Sequence, residues 1–377
     1  METIQMKKQL LAVAVASAFA STAFAANVTV YGSVDTGLVY TNQSFGGVLA
    51  GDQKDVNKFS MDSSVFGSSK FGFKGTEDLG DGYSVSFQLE NGFKSDSGEL
   101  KTKNTIFDRE ARLSLNTPYG TASFGRMGSL TSGAGTYDVF QNAGDAADGG
   151  YADYIGAGYW FTRERYNNMV TLVTPEANGF TGYAQYSFAM DSQEDASVRN
   201  NNRYAALGLT YSAGALNVAV VADTVLFNNA TFRDVSKVDD AKAFSLGVNY
   251  DFGVTKAFFG AQYGKNEKVD FSAVTGHEDE FAFVKGYNLH IGTVTPLPCG
   301  TLTVTAYYSD YEDVEDNSAT AKKYGIGLMH EYALSKRTTF YTGAGFAQTD
   351  IKVDDGEYKA AGRMKGVNVT VGLNHTF

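Results

Sequence analysis

Apolar and polar residues alternate with a period of two along most of the chain. Val28-Thr29-Val30-Tyr31-Gly32-Ser33-Val34-Asp35 has this pattern, and so does Tyr83-Ser84-Val85-Ser86-Phe87-Gln88-Leu89-Glu90. It returns at Gly366-Val367-Asn368-Val369-Thr370-Val371-Gly372-Leu373-Asn374. Side chains two apart share one face of a strand, so each run predicts a strand with an apolar face and a polar face. Helical spacing is not sustained anywhere after residue 25.

The connections between these runs fall into two kinds. Seven are short and carry Gly, Asn, Asp or Pro, as tight hairpins require: 77–82, 117–120, 176–179, 212–214, 251–253, 297–300 and 334–337. Eight are longer and polar, at roughly 42–68, 94–104, 128–166, 190–202, 227–240, 266–283, 312–320 and 350–364. They separate sixteen expected strands. The first eight lie near 28–41, 69–77, 83–93, 105–116, 120–127, 167–175, 180–189 and 203–212. The second eight lie near 215–226, 241–252, 254–265, 284–296, 300–311, 321–333, 337–349 and 365–377. Most are close to the ~9–11 residues of a tilted spanning strand. An even strand number, with short turns on one side and long loops on the other, is the signature of an outer-membrane barrel. The expected fold is all-β: a sixteen-stranded antiparallel transmembrane β-barrel with short periplasmic turns and long external loops. A soluble sandwich, solenoid or propeller predicts more even connections, often with an internal repeat.

The first residues bear on the compartment. Lys7 and Lys8 precede an apolar run, Leu10 to Phe19, and Ala23-Phe24-Ala25 is a small-x-small cleavage pattern. Residues 1–25 therefore read as a secretory signal peptide, and 26–377 as one barrel domain. The apolar run is too short for a spanning helix, which needs ~20 residues. Mean hydropathy is −0.22, which alone suggests a soluble chain. Barrels, however, hide their apolar surface in alternation. The 23 Tyr and 27 Phe suit strands and membrane interfaces.

The formal charge of −11 argues against nucleic-acid binding, which needs clustered Lys and Arg. A single cysteine, Cys299, leaves no internal disulfide framework. The histidines are His277, His290, His330 and His375; none neighbours a nucleophile motif, and Gly-x-Ser-x-Gly is absent. Neither an enzyme, a metal site nor a cofactor is expected.

Several segments, in order along the chain, resemble the general Gram-negative porins, especially those of betaproteobacteria and Neisseria. They are Val28-Thr29-Val30-Tyr31-Gly32, Lys70-Phe71-Gly72-Phe73-Lys74-Gly75-Thr76-Glu77-Asp78-Leu79-Gly80 and Phe87-Gln88-Leu89-Glu90-Asn91-Gly92-Phe93. Phe107-Asp108-Arg109, Gly125-Arg126 and the terminal Val371-Gly372-Leu373-Asn374-His375-Thr376-Phe377 belong to the same set. From about 190 to 360 the likeness is one of architecture more than motif. The resemblance implies an outer-membrane pore for passive diffusion of small hydrophilic solutes and ions, and a homotrimer embedded in outer-membrane lipid. It also implies that Phe377 is read by the barrel-insertion machinery, and that the third long loop, 128–166, folds into the lumen. The alternatives are a substrate-selective channel and a barrel acting chiefly in surface adhesion.

Parity selects wall residues for such a pore. Phe71 and Phe73 facing lipid puts Lys70 and Lys74 in the lumen; Ala111, Leu113 and Leu115 facing out puts Glu110 and Arg112 inside. Asp35 and Glu90 share the lumen parity. Lys70, Lys74, Arg126 and Arg165 occupy positions that resemble the family's basic cluster, although strict alternation gives Arg126 the parity of Phe124. The third loop offers Asp138, Asp145, Asp148 and Asp153. Opposed basic and acidic groups across a narrow pore set ion selectivity. Asp145-Ala146-Ala147-Asp148-Gly149-Gly150 departs from the family's aromatic and Gly constriction sequences.

Overall fold

The computed structural model describes residues 28–47, 54–147, 161, 163–191, 200–228, 239–270, 281–314, 318–354 and 359–377. Among the described residues, seventeen strands form one antiparallel sheet closed on itself. They are β1 (Thr29–Gly46), β2 (Val56–Ser63), β3 (Lys70–Gly80), β4 (Tyr83–Gly92), β5 (Glu110–Thr117), β6 (Gly120–Gly128), β7 (Arg165–Val173), β8 (Phe180–Ser187) and β9 (Arg203–Ala213). There follow β10 (Leu216–Leu226), β11 (Ala241–Asp251), β12 (Lys256–Asp270), β13 (Phe281–Leu297), β14 (Gly300–Asp313), β15 (Ala319–Ala333), β16 (Thr338–Asp354) and β17 (Lys359–Thr376). The single described helix, α1 (Phe140–Gly144), lies between β6 and β7.

The barrel has sixteen staves because β2 and β3 share one. β2 pairs with the upper half of β1, from Thr36↔Ser63 to Gln43↔Val56, and β3 pairs with the lower half, from Thr29↔Lys74 to Ser33↔Lys70. β2 falls inside the expected first long loop, which corrects that expectation. Its apolar positions Phe59 and Met61 are isolated in polar sequence, so the alternation is faint. The extended β16 and β17 likewise climb through most of the segment expected as the last long loop, pairing as far as Asp354↔Lys359. Closure comes from β1 against β17, from Ser33↔Thr376 to Gly46↔Arg363. A closed sheet leaves no unpaired edge, which a bilayer core requires.

All seven short turns form. Between β3 and β4, Asp81 (φ 52) and Gly82 (φ 80) are both left-handed, the type I′ pattern that matches strand twist. The outward parity is apolar and exposed: Leu207 is 67% exposed and Ile291 60%. In water such a continuous apolar surface is unfavourable; around a barrel it is the lipid face. On β15 this face runs from Tyr324 through Ile326 and Leu328 to Tyr332. That nine-residue stretch spans roughly 20 Å at a ~40° tilt, so the tyrosines sit where an aromatic girdle belongs.

Inward side chains are mostly buried. Asp35, wholly buried on β1, gathers the turn between β2 and β3. Its carboxylate accepts the amides of Val65 (2.7 Å), Phe66 (3.3 Å) and Gly67 (3.1 Å), the Tyr341 hydroxyl (3.1 Å) and the Asn374 amide (3.1 Å). A carboxylate buried on lumen parity is thereby satisfied by β16, β17 and the turn together. The expected signal segment, 1–25, and residues Asp148, Asp153 and His277 lie outside the described residues.

Candidate functional site

The connection between β6 and β7 enters the barrel. Leu130 donates its amide to Gln185 of β8 (3.0 Å), and the Val139 and Phe140 amides return to the Leu130 carbonyl (both 3.1 Å). α1 then lies on the inner wall of β10, β11 and β12. Two glycines, Gly144 and Gly247, make that approach possible. A Cβ on Gly247 would stand 2.7 Å from the Phe140 carbonyl oxygen and 2.8 Å from the Gly144 nitrogen. The Asn249 side chain donates to the Ala143 carbonyl (3.0 Å), and the Gly144 carbonyl meets Nδ1 of His290 on β13 (2.6 Å). Buried residues of this loop, Tyr137 and Phe140, join one apolar cluster with Tyr307, Met329 and Tyr341 of the wall.

The returning limb is held by charge. Arg163 donates Nε to Asp223 of β10 (2.6 Å), and Nη1 and Nη2 to the two carboxylate oxygens of Glu267 on β12 (both 2.7 Å). All three side chains are at most 5% exposed. Burial opposes the Arg163 charge, but Asp223 and Glu267 outweigh it and hold the guanidinium well above its ordinary range. A bulge between Gly264 and Glu267 makes this possible. The extra residue flips parity, so Lys265 faces out and Glu267 faces in.

Opposite α1, charged residues gather on the inner faces of β3, β4 and β5, with Arg165 at the start of β7 beside them. Lys70 lies 3.3 Å from Glu90, and Arg109 donates to the same carboxylate (2.7 Å) with the Tyr31 hydroxyl (2.9 Å). Lys74 sits over the Tyr31 ring, 5.1 Å from its centroid. Arg112 meets Glu110 (3.2 Å), Gln88 (2.7 Å), Ser114 (2.9 Å) and the loop residue Thr136 (3.1 Å), and lies over the Tyr137 ring. Glu110 also accepts the Thr136 amide (3.1 Å). Arg165 is within electrostatic reach of Arg109, Glu110 and Glu90, and its buried Nε and Nη2 have no hydrogen-bond partner among the described residues. Among the described residues the cluster thus holds five bases (Lys70, Lys74, Arg109, Arg112, Arg165) against three acids (Glu90, Glu110, Asp108).

The structure brings Lys70, Lys74, Glu110 and Arg112 into one group of direct contacts; Arg165 and Arg126 both lie within electrostatic reach of Glu110 without pairing to it. Arg126 pairs with Ala111 on the parity of Phe124 and Leu113. It spends its donors on the Asp108 carbonyl (2.7 Å) and Asn167 (2.7 Å). Strict alternation therefore governs its direction. The loop aspartates are engaged locally. Asp138 accepts the Gln141 amide (3.2 Å); Asp145 accepts the Ala147 amide (2.9 Å) and lies 3.5 Å from His290. Among the described loop residues it is Thr136 and Tyr137 that reach Arg112. Sequence reasoning passed over Arg109, Tyr31 and the Arg163–Asp223–Glu267 triad. Arg109 stood in a quoted motif; the triad's members are 60 and 104 residues apart from Arg163 and carry no local signal.

A family model described as a Gram-negative porin matches residues 12–352. An outer membrane porin protein of Bordetella pertussis is 32% identical over 409 residues, covering 99% of this chain and all of that protein. Outer membrane porin protein 32 of Delftia acidovorans is 29% identical over 386 residues, with the same coverage. Among solved structures, the anion-selective porin from Comamonas acidovorans superposes with a TM-score of 0.61 at 24% identity, covering 94% of this chain and all of that one.

Proposed function

The chain belongs to the Gram-negative porin family, and on that premise we propose that its constriction is the gap between the loop carrying α1 and the basic wall of β3–β7, and that it favours anions. The protein is an integral outer-membrane porin whose water-filled pore carries small hydrophilic solutes and ions by passive diffusion. Diffusion through such a pore needs no bound intermediate; the charges lining its narrowest part set which ions pass.

The observation that carries the anion preference is the surplus of base. Five cations face three carboxylates (Glu90, Glu110 and Asp108), and two Arg165 donors lack partners among the described residues. Low-dielectric walls focus this field into the opening. Asp138 and Asp145 are buried and turned to their own loop and to His290. They soften the preference rather than reverse it. Lys70, Lys74, Arg112 and Arg165 are the basic residues of the constriction, and Glu110 fixes both Arg112 and Thr136. Arg126 acts at the strand end, tying β6 to Asp108 and Asn167. The test is the reversal potential of the detergent-folded protein in a planar bilayer under a salt gradient. A sign showing anion preference supports the reading; a cation preference refutes it.

Three further assignments belong to this reading. Residues 1–25 are the secretory signal peptide, removed before 26–377 folds. The working form is a homotrimer, so unheated detergent samples should migrate at three times the mass of boiled ones. Phe377 is the element that the insertion machinery reads, and its deletion should lower the amount of folded barrel in the membrane.

A further inference from the structure

On the outer surface, Lys242 of β11 and Lys265 of β12 are direct cross-strand partners. Both point outward and both are exposed. Neither has an acidic partner among the described residues. Like charges directly opposite each other destabilise a sheet, and they stand out in a chain whose net charge is −11. One step down the same outward face, Phe244 pairs with Tyr263, and Tyr263 with Tyr287. These rings are 54%, 54% and 40% exposed. Lys285, two residues before Tyr287, adds a third base, with Glu312 3.5 Å away at the rim.

The strand ends concerned border the long connections 227–240 and 266–283, so the cluster lies on the external side of the barrel. Aromatic rings on a lipid-facing surface sit at headgroup level. Lysines just beyond them hold their stems against the rings and their ammonium groups in the headgroup layer. Two facing ammonium groups on an otherwise acidic protein complement a doubly charged phosphate, which relieves their repulsion and takes a charge-assisted hydrogen bond from each.

We propose that Lys242 and Lys265, flanked by Lys285 and seated on Phe244, Tyr263 and Tyr287, form a binding site for the phosphate of an outer-leaflet glycolipid headgroup. The site is separate from the pore: Ala243 and Gly264, the neighbours of these lysines, face the barrel interior, and the lysines face away from it.

The test is native mass spectrometry of the detergent-folded full barrel with bisphosphorylated lipid A and with the same lipid stripped of phosphate. The wild-type protein should retain the phosphorylated lipid and release the stripped one. Lys242→Gln with Lys265→Gln should weaken retention by about tenfold or more, since each base near an anionic surface contributes on the order of 1 kcal/mol. Lys242→Arg with Lys265→Arg should keep it. Single-channel conductance should be the same in all three proteins, which separates this site from the pore. Equal retention of both lipids, or undiminished retention by the double Gln variant, overturns the proposal. So does a double Gln variant that changes oligomeric state while binding lipid normally, because the lysines would then belong to a protein contact.

Discussion

Arg163 and Glu267 face each other as a two-point ion pair, Nη1 to Oε2 and Nη2 to Oε1, both at 2.7 Å. This pair, with Asp223 on Nε, joins the returning limb of the pore loop to the wall 104 residues later in the chain. The barrel closes through its own backbone pairing, so the clamp governs where the loop sits rather than whether the barrel forms.

Arg163→Ala should therefore leave a folded barrel with a displaced loop. Removing one partner of a buried pair costs about 3–5 kcal/mol, because the other charges stay buried without it. The loss should appear as greater open-channel current noise and a changed conductance, with heat-modifiable gel mobility unchanged. Arg163→Lys, which keeps the charge but not the two-point geometry, should fall between.

Gly247→Val tests the other attachment. The Phe140 carbonyl and the Gly144 nitrogen already lie within 2.8 Å of where a Cβ would be. A branched side chain there should push α1 off β11 and alter conductance in the same sense as Arg163→Ala. The outward face of β11 is untouched, so folding yield should stay close to wild type.

Asp35→Ala should destabilise the barrel itself. Its carboxylate satisfies three backbone amides, a tyrosine hydroxyl and an asparagine amide. Hydrogen bonds to a charged group contribute about 1.5–3 kcal/mol each and are not additive. A loss of about 3 kcal/mol or more is expected, read as a lower midpoint in urea or heat unfolding followed by gel mobility. Asp35→Asn should recover part of it.

Much of this fold was legible because a barrel writes itself in period two. Leu113, Phe124, Leu207, Phe244 and Ile291 are all exposed on the parity that alternation assigned to lipid. Arg126 keeps the parity of Phe124 that alternation gives it, while still lying within electrostatic reach of Glu110. β2 was not legible: Phe59 and Met61 are its only clear outward apolar positions, and its partner, the upper half of β1, was itself expected to end at residue 41. α1 has five residues, too few to show a helical period. Of the site, Lys70, Lys74, Glu110 and Arg112 followed from parity. The Arg163 triad did not, because long-range charge pairing and a bulge that reverses parity leave no mark on local sequence.

Arg112→Gln should weaken the anion preference without closing the pore. Arg112 reaches the loop through Thr136 and stands over Tyr137, so its charge lies where wall and loop meet. Its loss lowers the basic surplus by one and leaves Glu110 with the Thr136 amide and the more distant Arg165 charge. The reversal potential should move toward that of an unselective pore, and Lys70→Gln in the same chain should move it further.

The central claim is that this barrel holds an open pore whose charge is set by the basic wall. Single-channel recording of the detergent-folded protein in a planar bilayer with a salt gradient tests it most directly. Discrete ohmic steps, with a reversal potential of the sign for anion preference, are the predicted result. An inserted, folded barrel that passes no current, or one that prefers cations, would contradict it.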